Sequence, residues 1–391
     1  MLEKGRTMIM QNSKRITWID GIKGIACLLI FTHHFSLEYF NGAYFGNLVE
    51  SRLPFQFDIR LSYEPYGILI NGNFWLCIFV TLSAFLTAFS ILRYCTIPQK
   101  KNWQEELSGM IVKRYVRLVI PCGIAGILYW MLRQYLAPLF KCYDGLENLL
   151  TFGELLWHTF VKMWIVPDSE VLGPYWMLYI IFWGTFIAII LTLTIRFFPK
   201  GALVCSFLIA SLILWVKDEY YLCIVAGVLL AWFMESGILV DSRRVRRLAL
   251  IPLMAGLYLG GYPSYAQPVF FYHYLGRIYP YIFGNKGIAT YHILAAALLI
   301  LGIIMSNPVQ RGLSVKPLQW LGSLSMGVFV LHIIVLQFVG RPLQNMFLEM
   351  GMSYPLMTLA VYLILLVLLL LLAWGFHNTV ERLAEKILSR L

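Results

Sequence analysis

Apolar runs long enough to cross a bilayer recur from the first segment of this 391-residue chain to the last, with only short polar breaks between them. Hydrophobic residues make up 60% of the chain and charged residues 13%, about half the charged fraction of a soluble domain. Mean hydropathy is +0.72. In hydrocarbon each backbone N–H and C=O must be satisfied within the protein, and a helix does this inside one segment. The chain is therefore expected to be an all-α polytopic membrane protein, with spans near 16–38, 68–92, 116–137, 174–195, 202–216, 220–236, 248–262, 288–305, 318–340 and 355–376. That is about ten transmembrane helices, several near the lower length limit for spanning. The expected organisation is one membrane domain over 1–391, with a basic cytoplasmic tail (1–15), a transmembrane bundle (16–376) and a second cytoplasmic tail (377–391). The run after residue 15 exceeds a signal-peptide core and has no small-residue cleavage site, so it is expected to stay as the first helix.

Lys and Arg placement orients the bundle, because short cytoplasmic loops hold an excess of them. With both termini cytoplasmic, about 21 cations fall inside and about 9 outside. Topology and anionic lipid thus account for most of the +11 net charge, and nucleic-acid binding is not implied. The expected location is the cell membrane, in bacterial terms the cytoplasmic or inner membrane, as a multi-pass protein in contact with its lipids. The seven cysteines, Cys27, Cys77, Cys95, Cys122, Cys142, Cys205 and Cys223, form no disulfide framework and no CxxC pattern, and packing is their expected role. No phosphate-binding Gly-rich loop, HExxH or GxSxG motif is present, and no metal site is expected.

Within the first apolar run, Lys23 and His34 are the informative side chains. Ionisable groups at membrane depth are costly, so they face a polar cavity and carry function. Eleven steps at about 100° and 1.5 Å bring the chain roughly 20° past three full turns and advance it about 16 Å. Lys23 and His34 therefore share one helix face, the cation near one membrane surface and the imidazole deep inside. Asp20 lies near the same stripe, about 21 Å of rise from His34, so it can orient a cation but not touch that imidazole. The neighbouring His33 points about 100° away and is expected to pack against or bond to another helix.

A second basic group, Lys113-Arg114-Tyr115-Val116-Arg117-Leu118-Val119-Ile120-Pro121, opens the third span. Arg114 and Arg117 are three apart and lie on one side of a helix, where guanidinium forks suit phosphate oxygens. A basic flank on a cytoplasmic loop is also what topology alone produces. Trp176, beside Gly173-Pro174-Tyr175, is placed to shape a substrate entrance or to sit in an interfacial aromatic belt. His332, inside the ninth span, is a candidate cavity residue or an interhelical hydrogen-bonding group. The aromatic loop from Gly261 to Tyr281 suits either a sugar ring or the membrane interface.

The run Trp18-Ile19-Asp20-Gly21-Ile22-Lys23-Gly24-Ile25-Ala26, with a histidine eleven positions after its basic residue, resembles the opening of the integral-membrane acyltransferase 3 family. Phe79-Val80-Thr81-Leu82-Ser83-Ala84-Phe85-Leu86 is similar to that family's second-helix pattern, Lys113 to Pro121 to its basic third-helix start, and Leu321 to His332 to its late segment ending in histidine. Glu381-Arg382 resembles the closing segment. Lys23 stands where arginine is commoner, which keeps the charge and loses the fork; Ala84 stands where glycine is usual, which makes the backbone beside Ser83 less permissive.

The resemblance implies transfer of an acyl group, usually acetyl, from cytoplasmic acyl-CoA to a carbohydrate or lipid-linked sugar. Acetyl-CoA would be a donor substrate, with no cofactor tightly bound. On that reading Lys23, Arg114 and Arg117 hold the CoA phosphates, His34 is general base or transient acyl acceptor, Asp20 supports it, and Ser83, Trp176 and His332 are cavity residues. Longer members carry an added hydrolase-like unit, so this chain is expected to finish transfer alone or through a separate partner. The sequence also admits a transporter or flippase of a lipid-linked glycan or small solute, with Lys23 and His34 as a relay, and a scaffold subunit in which the polar stripe only fixes packing.

Overall fold

A computed structural model of the chain describes residues 16–94, 103–136, 150–237, 243–283 and 286–389. The basic tail 1–15, Cys95, Cys142, Lys100, Lys101, Lys141 and Arg390 lie outside the described residues. Among those described, regular structure is helical throughout. The principal helices are α1 (Thr17–Tyr39), α2 (Gly72–Tyr94), α3 (Trp103–Met131), α4 (Phe152–Trp157), α5 (Trp176–Phe197), α6 (Lys200–Lys217), α7 (Tyr221–Ser236) and α8 (Leu250–Gly260). They continue with α9 (Phe270–Phe283), α10 (Gly287–Met305), α11 (Asn307–Leu313), α12 (Lys316–Ser323), α13 (Ser325–Val335), α14 (Arg341–Glu349), α15 (Tyr354–Phe376) and α16 (Arg382–Leu388).

Six stretches of the described residues are long and apolar enough to cross a membrane: Gly72–Arg93, Leu107–Tyr135, Gly173–Phe197, Gly287–Met305, Ser325–Glu349 and Tyr354–Leu388. Gly201–Lys217, Tyr221–Ser236 and Leu250–Gly260 are shorter apolar helices. Helix α1 has 23 residues and carries Asp20, Lys23, His33 and His34 among its apolar positions. Two expected boundaries move. The ninth segment, expected at 318–340, instead divides into α12 and a span starting at Ser325. Pro317 starts α12, where its missing N–H costs no hydrogen bond, and the backbone turns at Leu324 before the apolar run resumes. The aromatic segment expected as an outer loop holds helix α9, whose first amides, Phe271 and Tyr272, donate to the Glu64 carboxylate at 2.7 and 3.1 Å. An acceptor there satisfies amides that a helix start leaves unpaired.

Helix α1 is the wall between two cores. Trp18, Ile22, Ala26 and Ile30, spaced by four, pack with α2, α7 and α10. Cys27, Phe31 and Phe35, also spaced by four, pack with residues of α3, α13 and α15. Four-residue spacing keeps each set on its own strip of the helix. The five described cysteines are free thiols, and Cys27, Cys77, Cys122 and Cys223 are buried.

A third strip of α1 touches backbone. A methyl group added at Gly21 would lie 1.9 Å from the Leu313 carbonyl oxygen, and one at Gly322 would lie 2.0 Å from that of Asp20. Gly24 has the Gly322 nitrogen 2.9 Å from the same position. Where lipid tails are as apolar as leucine, close approach through small residues is what holds helices together. Gly322→Ala is expected to lower the stability of the detergent-solubilised protein by about 1–3 kcal/mol, the cost typical of overpacking. Gly312, which has open space around it, is the control. Thermal unfolding followed by size-exclusion chromatography checks this, with Gly312→Ala expected to unfold no earlier than the parent.

Candidate active site

Several helix ends converge on a cavity of about 510 Å³. The C-terminal half of α1 supplies Ile30, His33 and His34, the start of α2 supplies Gly72 and Asn73, and the start of α5 supplies Trp176. Glu219 and Tyr220, between α6 and α7, face it, with Tyr44, Ser264 and Tyr265 from connecting segments. A cavity of this volume is in the range of small-molecule sites. Its wall mixes aromatic surface with a few convergent polar groups.

His34 is flanked by two imidazoles. The His33 and His332 rings each lie 4.9 Å from its own, centroid to centroid. His33 Nδ1–H donates to the Ile70 carbonyl at 2.8 Å, and the ring fills the space a Cβ would take at Gly72. His332 Nδ1–H faces the carbonyls of Phe329 and Val328 at 2.7 and 3.1 Å. A carbonyl only accepts, so the His332 proton sits on Nδ1, and its buried Nε2 is left as an acceptor with no hydrogen-bond partner among the described residues. His34 has no hydrogen bond to another described residue; its ring meets the cavity and its two neighbours. Of the three, it has both nitrogens available to a substrate.

The remaining residues singled out by sequence fall in three places. Trp176 lines the same cavity as His34 and lies 5.4 Å from the Tyr220 ring. Lys23 lies toward the other end of α1, 3.4 Å from the buried Asp20 carboxylate. Arg114 of α3 donates from Nη2 to the Ser83 hydroxyl of α2, while its Nε is buried without a partner; Arg117 is exposed, one turn on. Lys23, Arg114, Arg117 and Ser83 are not among the residues lining the cavity. The structure thus joins His34, His332 and Trp176 at one site, Lys23 with Asp20, and Arg114 with Ser83.

The wall also holds residues with no signal in spacing. Glu219 accepts an ion pair from Lys286 at 3.4 Å, and that ammonium also donates to the Trp215 and Val216 carbonyls at 2.6 and 3.0 Å. A cation on terminal carbonyls suits the negative end of α6. In the same wall the Tyr44 ring packs at a tilt against Tyr265, centroids 5.1 Å apart. Burial, then the Tyr265 hydroxyl, pushes the Tyr44 phenol up to about 12, so it stays a neutral hydrogen-bonding group near pH 7. Sparse polar positions at helix starts (Asn71, Asn73) and the short break Asp218-Glu219-Tyr220 are the only sequence traces of this wall. Among the described residues, no group of three or more His, Cys, Asp and Glu side chains could hold a metal ion.

A multi-pass helical protein with a histidine-lined cavity between its helices is the class that fold and site define. Residues 16–378 match the acyltransferase domain that defines the acyltransferase 3 family. The chain belongs to that family. One relative is the O-acetyltransferase PaAT-1 of Phomopsis amygdali, 26% identical over 121 residues, a stretch covering 29% of this chain and 23% of that protein. No solved structure matches.

The site geometry predicts an order of chemical reactivity. Diethyl pyrocarbonate needs an accessible unprotonated imidazole nitrogen, which His34 offers and the fully buried His292 and His332 do not. Peptide mapping by mass spectrometry after brief labelling of the folded protein is expected to find His34 modified ahead of both. Earlier labelling of either buried ring would contradict the assigned cavity.

Proposed function

We propose that this chain is a membrane-bound O-acyltransferase that moves an acyl group, most simply acetyl, from cytoplasmic acyl-CoA to a hydroxyl of a cell-surface polysaccharide or lipid-linked sugar. The observation that carries this reading is His34: an imidazole in the C-terminal half of α1, with no hydrogen bond to another described residue, opening on a cavity lined in part by aromatic rings. Rings such as Tyr44 and Tyr265 suit the flat apolar face of a sugar, and the named O-acetyltransferase relative favours an oxygen acceptor.

In this mechanism His34 removes the proton from the acceptor hydroxyl as its oxygen attacks the thioester carbonyl. The tetrahedral intermediate collapses with cleavage of the C–S bond, and the proton passes from His34 to the sulfur, releasing CoA as a thiol. On this reading Nε2 of His332, an acceptor on a ring 4.9 Å from that of His34, takes a hydrogen bond from the second His34 nitrogen while the first takes up the substrate proton. Lys23, held by Asp20, and Arg114 with Arg117 grip the CoA phosphates at the other end of α1, with Ser83 fixing the Arg114 fork. On this reading both termini are cytoplasmic and the chain crosses the cell (inner) membrane about ten times, with α1 and the three shorter apolar helices added to the six long spans.

The test is transfer of labelled acetyl from acetyl-CoA in proteoliposomes. His34→Ala is expected to lower turnover by about 10²–10⁴-fold, the usual worth of a general base; activity at the parental level in that variant would remove the mechanism, and solute movement without thioester consumption would replace the enzyme reading with a transporter.

The phosphate grip is checked separately by calorimetric titration with CoA. Arg114→Ala combined with Arg117→Ala is expected to weaken binding by at least about tenfold, roughly 1.4 kcal/mol. Arg60→Ala, chosen away from the grip, is expected to leave it unchanged. Equal affinity in the double variant and the parent would place the CoA phosphates elsewhere.

A further inference from the structure

A chain of side chains ends in the wall of this cavity and has no role in the mechanism above. His292 is completely buried in α10. Its Nε2 lies 2.8 Å from the Tyr262 carbonyl and its Nδ1 lies 3.0 Å from the Asn73 amide nitrogen. Asn73 Oδ1 in turn accepts the Tyr220 hydroxyl at 2.5 Å. With the proton on Nε2, toward the Tyr262 carbonyl, Nδ1 accepts from Asn73, and the amide of Asn73 has its nitrogen toward His292 and its oxygen toward Tyr220. Asn71 closes the buried end, its amide nitrogen facing the Gly260 and Tyr262 carbonyls at 3.1 and 2.5 Å and His292 Nε2 at 2.7 Å.

This network uses one of the two N–H bonds of Asn73. The count holds if the His292 tautomer and the Asn73 amide are both reversed: Asn71 then donates to Nε2, and Asn73 spends one N–H on the Tyr220 oxygen. One N–H is left over either way, on a residue that lines the same cavity as His34. Asn73 is next to Gly72, against which the His33 ring packs, so the amide and the imidazole pair belong to one wall junction. An amide held at both ends cannot turn away when charge develops in front of it, and fixed donors of this kind stabilise a transition state most.

Resting on the acyl-transfer reading of this cavity, we infer that Asn73 is a catalytic residue whose free N–H donates to the thioester carbonyl oxygen as it becomes an oxyanion. Tyr220 and His292 are positioning residues that lock the amide. The donor is needed where the C=O oxygen gains charge during attack, and it is idle in the ground state, so its loss falls on kcat.

The experiment compares Asn73→Ala, Asn73→Asp and Tyr220→Phe with the parent and with His34→Ala, each first shown to be monodisperse and to unfold at the parental temperature. Asn73→Ala is expected to lower kcat by about 10²-fold, as for loss of one oxyanion donor, with KM for acetyl-CoA within about threefold. In Asn73→Asp the carboxylate repels the oxyanion, whereas its protonated form donates again. The ratio of variant to parental kcat is therefore expected to rise as pH falls, a trend that a merely structural role does not produce. Should neither Asn73 variant fold, Tyr220→Phe carries the test, with kcat expected to fall by about tenfold. An unchanged kcat in the folded variants, or a loss confined to KM, overturns the inference while His34→Ala remains inactive. Retained activity in His34→Ala overturns the acyl-transfer reading itself.

Discussion

The contact of the α1 backbone with α11 and α12 is the constraint on which the rest of the arrangement depends. Gly21, Gly24 and Gly322 let these helices approach until a single methyl group would collide with a carbonyl oxygen. That contact fixes the rotation of α1 about its own axis. At about 100° per residue, Lys23 and His34 lie roughly a third of a turn from the strip of Gly21 and Gly24. Trp18 to Ile30 are thereby aimed at one core, and Cys27 to Phe35 at the other. Rotating α1 by one position would carry His34 from the cavity toward packed apolar side chains and bring a side chain against the Leu313 carbonyl.

Inside such a bundle a polar side chain must be satisfied by the protein, because little else is available. Lys23 has Asp20, the Arg114 Nη2 has Ser83, His33 has the Ile70 carbonyl, and Glu219 has Lys286. His34 departs from this rule by facing space. A cavity that keeps an imidazole available, between two other imidazoles whose own protons are committed to carbonyls, is an arrangement packing alone does not require. It agrees with membership of an acyltransferase family, since acyl transfer is helped by a base near the accepting group.

The part of this site carried by one helix was legible in the sequence, and the part assembled from several was not. The shared face of Lys23 and His34 follows from a rotation of 100° per residue, and the apolar runs mark the long helices directly. The rest of the wall depends on Asn73, at the start of α2, and on Glu219, Tyr220, Ser264 and Tyr265, which come from segments at the ends of the expected spans or between them. His292 shows the same difficulty: its spacing to other histidines says nothing, since its partners Asn73 and Tyr262 are met only when α2, α8 and α10 pack. Helix α9 was hidden because Glu64, far away in the chain, accepts from its first amides. The displaced ninth span has a local cause, an apolar pattern that runs on through Gly322-Ser323-Leu324 while the backbone turns.

On the proposed reading the two ends of α1 do different physical work, and their separation follows from what each would bind. Phosphate recognition needs cations that remain hydrated until a ligand replaces the water, and Lys23 keeps about a quarter of its side-chain surface accessible. Thioester attack needs the opposite, a confined site where fixed dipoles replace water and act with less screening. Placing both at one depth would either bury the cations at high desolvation cost or flood the imidazole. A rise of about 16 Å between Lys23 and His34 separates the two environments along one rigid element. On the proposed reading, it also selects for a donor with its charge at one end, its reactive carbonyl at the other and a slender arm between. Discrimination against short anionic esters then comes from the length of the helix segment itself, since such a molecule cannot occupy both ends at once.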